Sequence, residues 1–292
     1  MNVQINEADL EHLDLATGAS GEEDLSAILP DRVAADINRL IMENSFAREV
    51  FRPNEDLVGA TGLSINYPLK ERTVAQKLSD MGEVLVDQGE FSNVSSEVFL
   101  LGARAEWSYA AEEAQLFDLM SEEVMDAIQA LIRFENDQVV TTIEDNVDSD
   151  NDATFAGSDF AYQDVIEMRA DVSGPMDNIV IHPDDMADLL QDDNFVSNEF
   201  GISQIRQLEP QTTVFETNLG ITFWETEEAI DSGTVVGASS ARAGRFTVKT
   251  RPRTQRYDKG ESGGELKKGV TVWEMIDTVA TRGGAMARRG PQ

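Results

Sequence analysis

The chain has 292 residues, 41% of them hydrophobic, and carries 55 Asp and Glu against 23 Lys and Arg, a net charge of −32. That length and apolar content can bury a core in one large domain or two smaller ones. The absence of Cys excludes disulfides and thiolate metal sites, two His leave zinc or non-haem iron chemistry disfavoured, and no run approaches the ~18–20 apolar residues that span a bilayer.

Residues 1–30 read as an extended acidic arm, because Gly18, Gly21 and Pro30 interrupt any periodicity. The arm lacks the basic start and apolar run of a secretory signal, so a cytoplasmic origin is expected. Residues 31–50, DRVAADINRLIMENSFAREV, predict a short amphipathic helix. Val33, Ile37, Leu40 and Ile41 share a stripe, Asp31 is placed as its cap, and Pro53 and Gly59 close the element.

Residues 63–109 predict two extended segments joined near Asp80, Met81 and Gly82. Val94, Ser96, Val98 and Leu100 alternate with Asn93, Ser95, Glu97 and Phe99, a period of two with weak sidedness. A two-stranded ribbon of this kind makes no core of its own and must lie on something else. An ordinary edge hairpin of a mixed sheet is the other reading.

Residues 111–147 predict a long helix, with Leu116, Met120, Val124, Ile128, Leu131, Val139 and Ile143 on one face. Its length is on the order of 50 Å, unless Ser121 caps a second segment and breaks it. After the acidic turn DNVDSDNDATFAGSD the texture changes. NIVIHPDDMADLLQD (178–192) predicts a buried strand and then a short helix opened by Pro183 and Asp184. GITFWET (220–226) and the stretch after EEAIDSG predict further strands, giving a compact α/β unit from about 175 to 243. Residues 245–258 and 267–282 predict two returning strands joined by a Gly-rich turn.

Few patterns suggest chemistry. Gly260–Gly264 matches the string G-x-S-x-G around Ser262, but the surroundings read as a hairpin turn and not as strand, elbow and helix. Asp148, Asp150 and Asp152 match three positions of a calcium loop, while Ala153 and Asp159 stand where Gly and Glu belong. Whether these three carboxylates bind a cation stays open. His182, between a buried strand and Pro183, reads as structural. We expect no catalytic, cofactor-binding or metal residues, no cofactor and no enzymatic activity.

The charge is uneven. Residues 1–31 hold eight acids and no Lys or Arg, while residues 242–292 hold 12 bases and five acids, a local net of +7. Bases of that region neutralise acids of their own fold, contact neighbouring copies or face nucleic acid. The composition, with 6 Lys against 17 Arg, resembles that of proteins from extreme halophiles. At ~1 M salt the Debye length is ~3 Å and self-repulsion is largely screened.

The order of parts resembles the Hong Kong 97-type major capsid protein of tailed viruses: acidic arm, short helix, long ribbon, long helix, compact α/β unit and returning strands. The stretches NIVIHPDDMADLLQD, GITFWETEEAIDSGTVVGASS, FTVKTRPRTQRYD and GVTVWEMIDTVATR carry the likeness, in layout and not in an invariant motif. The resemblance implies an α+β capsid fold with an N-arm, an extended β-hairpin E-loop, a long spine helix, a P-domain and an A-domain. Residues 1–62 would form the N-terminal arm and short helix, 63–110 the E-loop, and 111–174 the P-domain with its spine helix. Residues 175–243 would form the A-domain, and 244–292 the P-domain return strands and C-terminal tail.

It further implies self-assembly into hexamers and pentamers of an icosahedral shell around double-stranded DNA, in a virus of a halophilic archaeon. The partners implied are other copies of the chain, packaged DNA bound non-specifically, and decoration or turret, scaffolding and portal proteins, with no membrane. The place implied is the virion capsid, assembled in the host cytoplasm. A short arm implies that scaffolding, if used, is a separate protein, and no Lys–Asn cross-linking residues carry over. An encapsulin-type compartment shell and a halophilic α/β enzyme are the alternatives.

Overall fold

A computed structural model describes residues 39–41, 43–70, 91–108, 117–157, 159–196, 202–208, 212–258 and 267–290. The expected acidic arm, the Asp31 cap and the Ser262 turn lie outside them. Residues 39–41 and 43–44 are helical, and α1 (Ala47–Val50) follows. The long helix α2 (Phe117–Asn146) runs unbroken for 30 residues, so Ser121 begins no second segment. At 1.5 Å per residue it spans about 45 Å. Ile128, Leu131, Val139 and Ile143 are buried, as their spacing predicts, and Ile132 and Val140 widen the buried face.

That face lies on a four-stranded sheet, ordered β1 (Arg52–Asn54), β11 (Gly244–Asp258), β12 (Lys267–Ala280) and β4 (Phe99–Ser108). Ile41, Ile128, Leu131, Ile132 and Val272 close the seam between helix and sheet. One polar cluster interrupts it. Arg48 of α1 pairs with Glu135 of α2 and, at 3.0 Å, with Glu274 of β12, and both carboxylates are fully buried. Ser45 Oγ donates to Glu135 at 2.5 Å, and the Arg48 guanidinium lies 5.0 Å from the centre of the Phe246 ring.

Residues 63–109 divide in a way the alternation did not show. β2 (Ser64–Lys70) and β3 (Phe91–Glu97) pair as an antiparallel ribbon, from Ser64 opposite Glu97 to Lys70 opposite Phe91. β4 leaves the ribbon and joins β12 from Ile276 opposite Phe99 to Lys267 opposite Ser108. Between them Val98 belongs to neither strand, and the phase of the alternation flips. Ser96 and Val98 point inward, but beyond the break Phe99 and Leu101 pack on the core while Leu100 stands 66% exposed. Val98, whose N–H donates to the Leu63 carbonyl at 2.9 Å, is a single residue outside both ladders, and such an offset reverses the faces that follow it, so grouping Leu100 with Val94 is corrected.

The second sheet has seven strands, in the order β5 (Asp152–Thr154), β13 (Met286–Gly290), β10 (Val235–Ala238), β6 (Asn178–Ile181), β9 (Thr222–Thr226), β8 (Thr212–Thr217) and β7 (Ile202–Leu208). The run NIVI is buried on both faces, which is why it shows no alternation. Ile179 and Ile181 pack with Met168 of α3 (Tyr162–Asp171) and with Met186 and Leu189 of α4 (Pro183–Gln191). Val180, Val236 and Trp224 pack on the other face with Phe46, Val139 and Phe246. Grouping 244–292 with the returning strands fails at its end. β13 runs parallel to β5 and antiparallel to β10 inside this sheet. Likewise β5 and α3, expected on the side of the long helix, complete this unit.

Candidate assembly surfaces

The ribbon is fastened at its base. Ser96 Oγ donates to Asp277 Oδ2 at 2.6 Å and lies 2.8 Å from Thr247 Oγ1, which also meets the Tyr67 hydroxyl at 2.9 Å. The Glu97 N–H donates to the same Asp277 oxygen at 2.9 Å. Burial raises the Asp277 carboxyl above its ordinary range, and hydrogen bonds from Ser96, Glu97 and Thr278 pull it back. Ile65, Tyr67, Leu69 and Val94 are half-buried, while Asn66, Pro68, Asn93 and Ser95 are exposed. A two-stranded element of this exposure has no core to hold it by itself.

Apolar surface is exposed near it. Leu63 at the entry to β2 is 50% exposed, and Val58 in the preceding turn is 46% exposed. Leu100 lies opposite half-buried Met275, and Gly102 opposite half-buried Trp273, on the face turned away from α2. At the far end of the second sheet, edge strand β7 is exposed along most of its length, with Ile205 outward. An exposed edge with unpaired backbone groups is a template for another chain.

A cleft of about 440 Å³ lies between the ribbon's base and the body, lined by Tyr67, Pro68, Leu69, Ala241, Arg242, Arg245, Thr281 and Arg282. Burial, and next the Arg52 guanidinium, lower the Arg245 pKa from its ordinary value.

Among the described residues, the structure also places the other side chains singled out in the sequence. Asp148 sits against the turn Gly283–Ala285, where a side chain added at Gly283 would collide with its carboxylate. Asp152 extends from β5 to Arg288 at 3.5 Å, and Asp150 is exposed in the turn between them. Among the described residues no three metal-ligating side chains cluster. His182 caps α4, its Nδ1 accepting the Asp184 N–H at 3.2 Å. Several bases of the C-terminal region pair within the fold: Arg251 with Glu55, Arg288 with Glu144 and Arg289 with Asp171.

No protein-family model matches the chain, and no curated relative is found. Solved structures do match. The capsid of the cyanophage P-SCSP1u aligns at 9% identity and a TM-score of 0.57, over 82% of this chain and 85% of its own. A virus-like particle from Pyrococcus furiosus aligns at 12% and 0.60, over 89% and 98%. The holo-SrpI encapsulin of Synechococcus elongatus PCC 7942 aligns at 9% and 0.54, over 99% and 96%. A long helix on a four-stranded sheet, a ribbon at its flank and a seven-stranded α/β unit together constitute the Hong Kong 97-type capsid fold, in the α+β form expected from the sequence.

Proposed function

We propose that the chain is the major capsid protein of a tailed virus of a halophilic archaeon. In this reading, copies form hexamers and pentamers of an icosahedral shell around double-stranded DNA. The β2–β3 ribbon is the base of the E-loop, α2 is the spine helix of the P-domain, and the seven-stranded sheet is the axial A-domain. The observation that carries the reading is the ribbon: it is fastened to the body at its base by Asp277, Thr247 and Ser96, yet half-exposed on a fold shared with shell proteins. The apolar groups Leu63 and Leu100 beside it offer burial that a neighbouring copy would complete. The composition supports work at molar salt, and the role is structural, with no catalytic residue assigned. Decoration, scaffolding and portal proteins are the further partners, and the shell assembles in the host cytoplasm.

A direct test follows from the register. Ser64 and Glu97 are paired partners, so residues 65–96 can be replaced by a short Gly-Ser linker without stretching the body. The expected product is a folded chain, by circular dichroism, that elutes as a small species and not as megadalton particles. Particles of normal size from this variant would defeat the assignment of the ribbon.

The encapsulin-type compartment shell remains the second reading, favoured by the near-complete mutual coverage with the encapsulin complex. The contents of purified particles separate the two: nucleic acid marks a capsid, and an enzyme cargo marks a compartment.

A further inference from the structure

Arginines are outnumbered in this chain, and carboxylates engage many of them. Arg48 meets Glu135 and Glu274, Arg133 meets Glu228, Arg206 meets Glu216, and Arg251 meets Glu55. The cleft at the ribbon's base breaks this pattern. Arg242 Nη1 donates to the Ser173 carbonyl at 3.2 Å, and Arg245 Nη1 to the carbonyls of Ala241 and Gly244 at 3.3 and 3.2 Å. Among the described residues neither meets a carboxylate in a salt bridge. Arg282 lines the same cleft, and Arg52 lies close enough to Arg245 to act on it as a like charge. Holding the guanidiniums of Arg242 and Arg245 in a partly desolvated cleft, with Arg52 close by, is unfavourable until an anion joins them.

We propose that the cleft receives carboxylates from the acidic N-terminal segment, residues 1–31, of a neighbouring copy. This rests on the shell reading and names the partner of one of its contacts. The segment carries eight acids and no Lys or Arg, so it complements the cleft without a repulsive group of its own. At ~1 M salt, where the Debye length is ~3 Å, attraction at a distance is screened, and only direct guanidinium–carboxylate contact keeps its strength. A concave site selects for that contact. A protein segment fits better than nucleic acid: a duplex asks for a basic stripe tracking its backbone, and here the bases converge on one concavity of a strongly acidic chain.

Because the chain has no Cys, introduced thiols report cleanly. Chains carrying Ala241→Cys at the exposed rim of the cleft are co-assembled with chains carrying Glu23→Cys, then oxidised. The expected result is a disulfide-linked dimer joining one chain of each kind. Its yield should fall roughly tenfold or more when Arg242→Glu and Arg245→Glu are added to the first chain. Arg242→Gln with Arg245→Gln serves where the reversal unfolds the chain, as circular dichroism would show.

Intact particles without this dimer, or with a yield indifferent to the arginine changes, overturn the inference and leave the shell reading standing. A bond formed only inside a doubly substituted chain overturns the neighbour as the source. Maleimide labelling of Ala241→Cys that rises only after nuclease treatment assigns the cleft to nucleic acid and overturns it as well. Unaltered chains that form no particles at any salt overturn the shell reading and this inference together.

Discussion

The buried cluster of Arg48, Glu135 and Glu274 places two carboxylates on one guanidinium in the seam beneath α2. Burial, and next the Glu135 carboxylate, push Glu274 up to about 9, while Arg48 pulls it down. Glu274 therefore keeps a proton in the fold that the unfolded chain releases above the ordinary carboxyl value of 4.5. Stability from this group is fully present below that value, declines as pH rises, and is lost once pH passes about 9. Replacing Glu274→Gln makes the group permanently neutral. Thermal melts across pH 5 to 10 at constant salt should show a falling midpoint for the unaltered chain and a flatter profile for the variant. By the alkaline end the variant should be more stable by on the order of a few kcal/mol. Parallel profiles would mean that Glu274 is ionised throughout.

The cluster was within reach of a stricter reading of the sequence. Glu135 lies four residues after Leu131 and four before Val139, on the apolar stripe of its helix, and Glu274 stands between Val272 and Ile276 in the inward phase of its strand. A charge in an apolar register signals a buried partner, but only folding reveals that the partner is Arg48, 87 positions from one carboxylate and 226 from the other. Gly269 is another residue fixed by its neighbours. A Cβ built there falls 2.2 Å from the Ala105 carbonyl oxygen, part of the β4 backbone. Gly269→Ala should therefore displace β4 and destabilise the chain by about 1–3 kcal/mol, read as a lower denaturant midpoint with faster amide exchange in residues 99–108.

Among the elements, those with strong periodicity or a sharp start were legible: α2 from its three-and-four spacing, and β6 with α4 from an apolar run ending in His182 and Pro183. The ribbon's extent was not, because one residue between the strands, Val98, inverts the pattern without altering composition. β13 was missed because the segment AMARRG has neither alternation nor apolar weight, and Arg289 is nonetheless buried, pairing at 2.5 Å with the partly exposed Asp171. The ribbon's fastening depends on one acceptor. Asp277→Ala would leave the Ser96 hydroxyl and the Glu97 N–H without it, a cost of about 1–3 kcal/mol. Hydrogen exchange should quicken in residues 91–97 while the seven-stranded sheet stays protected, and particle yield should drop. Asp277→Asn, which keeps an acceptor, should restore most of both.

At the scale of the whole molecule, charge dominates. With 55 acids against 23 bases, copies brought together in the proposed shell would repel one another unless salt intervenes. Surface pairs such as Arg251 with Glu55 offset little of this, since exposed ion pairs contribute ~0–1 kcal/mol. Light scattering through dialysis should show particles intact at molar salt and losing integrity near ~0.1 M, where the Debye length reaches ~10 Å. Particles indifferent to dilution would mean that contacts between copies outweigh the repulsion.

The position of Met286–Gly290 between β5 and β10 has a consequence for synthesis. Edge strand β5, laid down more than a hundred residues earlier, must wait for these five before it joins the sheet. A chain ending ahead of them would keep β10, β6, β9, β8 and β7 paired and leave only β5 without its neighbour. Only chains translated through Gly290 complete the seven-stranded sheet, so its last edge closes at the very end of synthesis.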